Sequence, residues 1–186
     1  MEFVEGDDLH SKENIEKMSS GLALNDQDRE PWLERIRKTM EKQTIQRTEG
    51  IGGEQSEAKR GCCCLVITCS ALKKNYRDIL RGQLKLQRED MTQAENPFPV
   101  QISAAPLATC FVFIKGSKEL ILQRLQERKG HYMKSTMLDS QLDELESPEE
   151  EGDVVVIDAE NSIEIQIKKV KEKIKNLVGE GFSKSL

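Results

Sequence analysis

This sequence has little of what a membrane, a secretion route or a metal site would need. No apolar run approaches the ~18–20 residues that span a bilayer. The opening residues, Met1 to Glu5, carry neither a basic segment nor an apolar one, so no signal peptide is expected and the cytoplasm is the expected location. Net charge is -5, and no basic stripe points to a nucleic-acid partner. There are only 2 His. The 5 Cys are Cys62, Cys63, Cys64, Cys69 and Cys110, an odd number without a C-x-x-C pair. A disulfide framework and a structural zinc site are both disfavoured, and reduced thiols packed in or beside strands are expected.

What is present fits one globular domain over residues 1–186, with 37% hydrophobic and 33% charged residues. Phe3 and Val4 end a short strand that runs into the polar loop of Asp7 and Asp8. Ser11 reads as a helix N-cap, with Ile15 and Met18 on the apolar face and Gly21 as the stop. Pro31 suits the first position of a second helix that carries Trp32, Leu33, Ile36 and Met40. Residues 43–61 show no periodicity and read as an insertion, as do residues 86–107. Cys64–Cys69, Cys110–Ile114 and Asp153–Asp158 are apolar strands. Helices follow each: one capped by Ser70 and ended by Gly82, one bearing Leu120, Ile121 and Leu125, and one bearing Ile163, Ile167, Val170, Ile174 and Leu177. Short, continuous apolar strands alternating with helices predict an α/β fold with a parallel sheet and helices on both faces. Ligands in such sheets bind beyond the carboxyl ends of the strands.

Several polar residues fall at those strand ends. Asp7 and Asp8 can accept hydrogen bonds from hydroxyls, and one carboxylate can take a proton from an attacking alcohol. The alternative is that they only cap the next helix, and residue type does not separate the two. Lys17, Arg29 and Arg77 can each pair with a carboxylate or phosphate, or can be ordinary surface charges. Arg124 and Arg128 are four apart and share a helix face, followed by Gly130 and His131. Two arginines before a glycine hinge can fold over a triphosphate, or can complement their own helix dipole.

Taken together, these segments resemble the gluconokinase family. The resemblance rests on Glu5-Gly6-Asp7-Asp8-Leu9-His10, on Asn14 to Met18, and on Leu24-Asn25-Asp26-Gln27-Asp28-Arg29 with Pro31-Trp32-Leu33. It continues in Cys69 to Lys74, Tyr76-Arg77-Asp78, Arg128-Lys129-Gly130-His131, and in Gln141 and Leu145. It implies a P-loop kinase fold related to shikimate and adenylate kinases, with gluconate and ATP as substrates and Mg2+ as the expected ion. Asp7 would hold gluconate hydroxyls and act as the base. His10, Lys17, Arg29 and Arg77 would complete the gluconate site. Arg124, Arg128 and His131 would reach nucleotide phosphates from a lid over residues 124–145. A homodimer is one option for its assembly.

One departure stands out. The family opens with a strand, a G-x-x-x-x-G-K-[ST] loop and a helix, and no stretch of these 186 residues matches that loop. About 30 residues, one strand–loop–helix unit, are expected before Met1. Loss of that central strand would leave unpaired sheet edges. The competing expectation is a catalytically inactive relative that binds a sugar acid or a partner protein.

Overall fold

The structure is a computed structural model that describes residues 2–49, 64–84, 107–127 and 138–178. Its elements are β1 (Glu2–Glu5), a 3-10 turn (Gly6–Leu9), α1 (Lys12–Ser19), α2 (Asp26–Glu49), β2 (Leu65–Thr68), α3 (Lys74–Arg81), β3 (Phe111–Lys115), α4 (Lys118–Glu127), α5 (Leu138–Glu144), β4 (Val154–Asp158) and α6 (Ile163–Val178). The α/β alternation follows the sequence expectation, with α5 as an added helix. The strands pair in parallel, Phe3 beside Val66 and Val112 beside Val155. Among the described residues they form two two-stranded ladders, β1–β2 and β3–β4.

Among the described residues, cover of the strands is uneven. Val66, Val112 and Ile114 are exposed, each alternating with a more buried neighbour. One face of each ladder is therefore open. On α6, Val170 and Ile174 are partly buried while Ile163 and Ile167 are exposed, so only part of the predicted apolar stripe packs.

The core sits between α2 and α3. Trp32, Leu33, Ile36, Tyr76, Ile79 and Leu80 are all buried there, and Phe111 packs against them. Full burial of each large apolar side chain stabilises by ~1.5–3 kcal/mol, so this cluster dominates cohesion. Two boundaries moved from expectation for local reasons. α2 begins at Asp26 rather than at Pro31, because Asn25 and Asp28 form a reciprocal cap. The Asn25 N–H donates to Asp28 Oδ2 at 2.9 Å, and the Asp28 N–H donates to Asn25 Oδ1 at 3.0 Å. α2 also runs on to Glu49, into the expected insertion, while residues 50–61 lie outside the described residues, as do 86–106. Ser70 does not cap α3. Glu146 does so from the distant α5–β4 loop, accepting from the Lys74 N–H at 2.6 Å.

That loop is stitched to α3 by two arginines. Arg77 Nε and Nη2 donate to Glu151 at 2.9 and 2.5 Å, Nη1 donates to Ala71 O and Leu72 O at 2.9 and 3.0 Å, and Nη2 also reaches Glu146 O at 3.1 Å. Arg81 grips Asp153 through Nε and Nη2 at 2.8 and 2.7 Å, bonds Glu151, and lies 4.8 Å over the Phe111 ring. α3 therefore holds the start of the second ladder against the first. Replacing Arg77 by Met removes the bidentate partner of the half-buried Glu151, which keeps only Arg81, and takes a donor from the carbonyls of Ala71, Leu72 and Glu146. A loss of about 3 kcal/mol is expected in urea unfolding, with little recovery in Arg77→Lys because an ammonium cannot reproduce the planar fork.

Candidate functional site

Asp7 stands in the turn directly after β1, and Gly6 before it makes that turn possible. A side chain at Gly6 would collide with the Thr68 carbonyl oxygen at the end of β2, so only glycine lets the backbones approach. The Gly6 N–H donates to Thr68 Oγ1 at 3.2 Å, and Trp32 Nε1–H donates to Gly6 O at 2.7 Å. Asp7 is itself engaged within the protein.

His10 closes the turn, its N–H donating to Asp7 O at 3.2 Å. Its ring stacks on Trp32 with centroids 4.1 Å apart. Asn14 is buried on α1 because it ties this region together, donating through Nδ2 to Asp28 O at 2.8 Å and meeting His10 Nδ1 at 3.4 Å. With Nδ1 accepting, the imidazole proton lies on Nε2. Burial is the main cause that pushes the His10 pKa down to about 4; Asp7 opposes it, and Arg29 and Arg35 reinforce it. His10 is a neutral imidazole at pH 7.

Arg29 is the buried cation of the site, only 4% exposed. It comes from the first turn of α2 and reaches Ser70, just past the end of β2. Nε donates to Leu24 O at 3.2 Å and Nη1 to Ser70 Oγ at 3.4 Å. Nη2 stands 3.6 Å from Glu144 Oε2, an atom that is buried without a hydrogen bond. Among the described residues, two of its five N–H groups thus make protein hydrogen bonds. Cys69 lies in the same field, facing Asp7 and Arg29, and burial pushes its thiol up to about 12. It is an unreactive thiol, as expected of packed cysteine.

The structure therefore brings Asp7, His10 and Arg29 together at the carboxyl ends of β1 and β2. The other expected residues that are described have partners within the protein. Lys17 is paired with Asp28 at 2.5 Å. Burial works against the Asp28 carboxylate, but Lys17 and the Asn25 N–H outweigh it and hold its pKa below the usual range. All five donors of Arg77 are engaged, by Glu151 and three carbonyls. Arg124 Nη2 donates to Ala159 O at 2.6 Å, beside the end of β4. Arg128 and His131 lie outside the described residues. The sequence reading missed Thr68, Trp32 and Glu144 as parts of the site. Only the indole had a signal, as a lone polar-tipped aromatic in an apolar helix stripe.

The chemistry on offer is recognition of a small anionic polyol. A buried guanidinium meets a carboxylate, a turn carboxylate accepts from hydroxyls, and a neutral imidazole donates or accepts. The parallel α/β fold is that of the sugar kinases of known structure. A crystal structure of a sugar kinase from Janibacter superposes with a TM-score of 0.66 at 31% identity, covering 94% of this chain and 80% of that one. A gluconokinase from Sinorhizobium meliloti superposes with a TM-score of 0.64 at 31% identity, covering 100% of this chain and 83% of that one. In sequence, a probable gluconokinase of Schizosaccharomyces pombe is 38% identical over 169 residues, 88% of this chain and 69% of the relative. The thermoresistant gluconokinase of Escherichia coli is 36% identical over 164 residues, 87% of this chain and 72% of the relative. No protein-family model matches. The chain belongs to the gluconokinase family of carbohydrate kinases.

The depressed His10 pKa has a testable sign. The unfolded chain binds a proton near pH 6.5, and the folded chain does so only near pH 4. Between those values the unfolded state holds more protons, so stability rises with pH. The melting temperature is expected to fall as pH drops from 7 to 4.5, and His10→Gln should flatten that slope. The carboxylates held low, Asp26, Asp28, Asp78 and Glu151, add a slope of the same sign from about pH 5 downward, so the difference between the two proteins carries the His10 share. Thermal melts of both proteins across pH 4.5–7.5 check it.

Proposed function

We propose that these residues bind D-gluconate as the phosphoryl acceptor of an ATP-dependent gluconokinase that yields 6-phospho-D-gluconate in the cytoplasm. The observation that carries the reading is Arg29, a buried guanidinium with spare donors beside Asp7. In an apolar setting such a group favours a carboxylate partner strongly, and gluconate has one. Asp7 accepts from the sugar-acid hydroxyls and takes the proton of the attacking hydroxyl. His10 offers its Nε2–H without adding charge. Glu144, close to Arg29 but not hydrogen-bonded to it, yields to a ligand carboxylate at little cost.

Magnesium-ATP is the proposed phosphoryl donor. No G-x-x-x-x-G-K-[ST] loop occurs in the 186 residues. Among the described residues, no group of three or more His, Cys, Asp or Glu gathers for a metal ion. The described residues thus fit the acceptor half and do not by themselves build the donor half. Arg124, together with Arg128 and His131, is the proposed contribution from a lid. Each missing phosphate donor of this kind costs ~10²–10³ in rate. This favours a second reading, sugar-acid binding without turnover by the chain as it stands. No helix among the described residues is long and apolar enough to cross a membrane.

Calorimetric titration separates the readings. D-gluconate is expected to bind, with affinity falling at least ~10-fold in Arg29→Leu and in Asp7→Asn. Magnesium-ATP binding and 6-phosphogluconate formation by the same preparation support the kinase reading. Gluconate binding with neither supports the second. Absence of gluconate binding refutes both.

A further inference from the structure

Gly6 joins two peptide groups, and the protein holds both of them. The first donates its N–H to Thr68 Oγ1 at 3.2 Å. The second accepts from Trp32 Nε1 at 2.7 Å through its carbonyl, and this same group supplies the backbone nitrogen of Asp7. Beyond Asp7, its own carbonyl accepts from the His10 N–H at 3.2 Å. The His10 ring in turn stacks on the Trp32 indole. The backbone on each side of Asp7 is therefore fixed from β2 and from α2, neither of which contains it.

Thr68 is suited to this task. Its hydroxyl donates to Glu5 Oε1, which turns a lone pair toward the Gly6 N–H. Trp32 is 1% exposed and immobilised in the core, so its N–H is a rigid reference point. A carboxylate on a short turn gains most from such support, because a displacement of a fraction of an ångström weakens a hydrogen bond to a hydroxyl and misaligns a proton transfer.

We propose that Thr68 and Trp32 are positioning residues that set the place of Asp7 through the two peptide groups of Gly6. This rests on the reading of Asp7 as the carboxylate that meets gluconate. Neither residue needs to touch the ligand.

The test is D-gluconate affinity by NMR titration to tens of millimolar, on the full chain. Thr68→Val keeps the shape and removes the hydroxyl. It is expected to weaken binding ~10-fold, and Thr68→Ser should restore it. Trp32→Phe keeps a ring against His10, removes the N–H, and should behave as Thr68→Val does. In an Asp7→Asn background, Thr68→Val should cost nothing further, because the effect passes through Asp7. An equal loss in both backgrounds would mean general loosening and overturn the proposal. So would wild-type affinity in Thr68→Val. If the wild-type chain does not bind gluconate, the functional reading falls and this one with it.

Discussion

The site depends on one close approach, that of the Gly6 backbone to the end of β2. A Cβ at Gly6 would meet the Thr68 carbonyl, so the turn exists only with glycine there. Because the approach is allowed, the Gly6 N–H finds Thr68 Oγ1 and the Gly6 carbonyl finds the indole of Trp32. The first bond ties the turn to β2. The second ties it to the largest side chain of the α2–α3 core. Asp7 and His10 inherit their places from these two bonds, and the neutral state of His10 follows from its burial against Trp32. Sheet, core and chemistry meet at a residue that has no side chain.

Two arginines of the same expected role end in opposite states, and donor accounting tells them apart. Arg77 and Arg29 are both nearly fully buried, at 2% and 4% exposure. Arg77 is saturated, with a bidentate carboxylate and three carbonyls within hydrogen-bond reach. Such a guanidinium holds structure together and has nothing left for a ligand. Arg29 has contacts of 3.2, 3.4 and 3.6 Å, the last to a carboxylate that is near but unbonded. Arg29 is thus ion-paired with Glu144 but not saturated, and keeps N–H groups that make no hydrogen bond among the described residues.

Much of the fold was legible because its signals are local. Ser11 accepts from the Asn14 N–H as a cap should, Gly82 ends α3 with φ 78°, and the apolar runs became strands within a residue or so of their expected ends. The candidate site was legible in Asp7, His10 and Arg29, since they fall just after strands or in a motif. The rest was not, because its partners are far apart in sequence. Glu146 caps α3 from 72 residues away, and Glu151 claims Arg77 from 74. No spacing rule finds such pairs. Pro31 misled because a reciprocal Asn25–Asp28 cap outbid its preference for the first turn. The open faces at Val66, Val112 and Ile114 were also invisible, because an apolar run reports what a strand can bury and not what covers it.

The architecture gives the two functional readings a physical basis. The acceptor side is self-supporting. β1, the Asp7 turn, α1, α2, β2 and α3 share the buried cluster around Trp32 and Tyr76, and Arg77 and Arg81 lock the α5–β4 loop onto them. None of these bonds runs through an edge between β2 and β3, where no ladder forms among the described residues. A sugar-acid site can therefore stand on the α2–α3 core while phosphoryl transfer, which needs fixed charge around three phosphate oxygens, has no such frame there. On the proposed reading, binding and turnover rest on different parts of the fold.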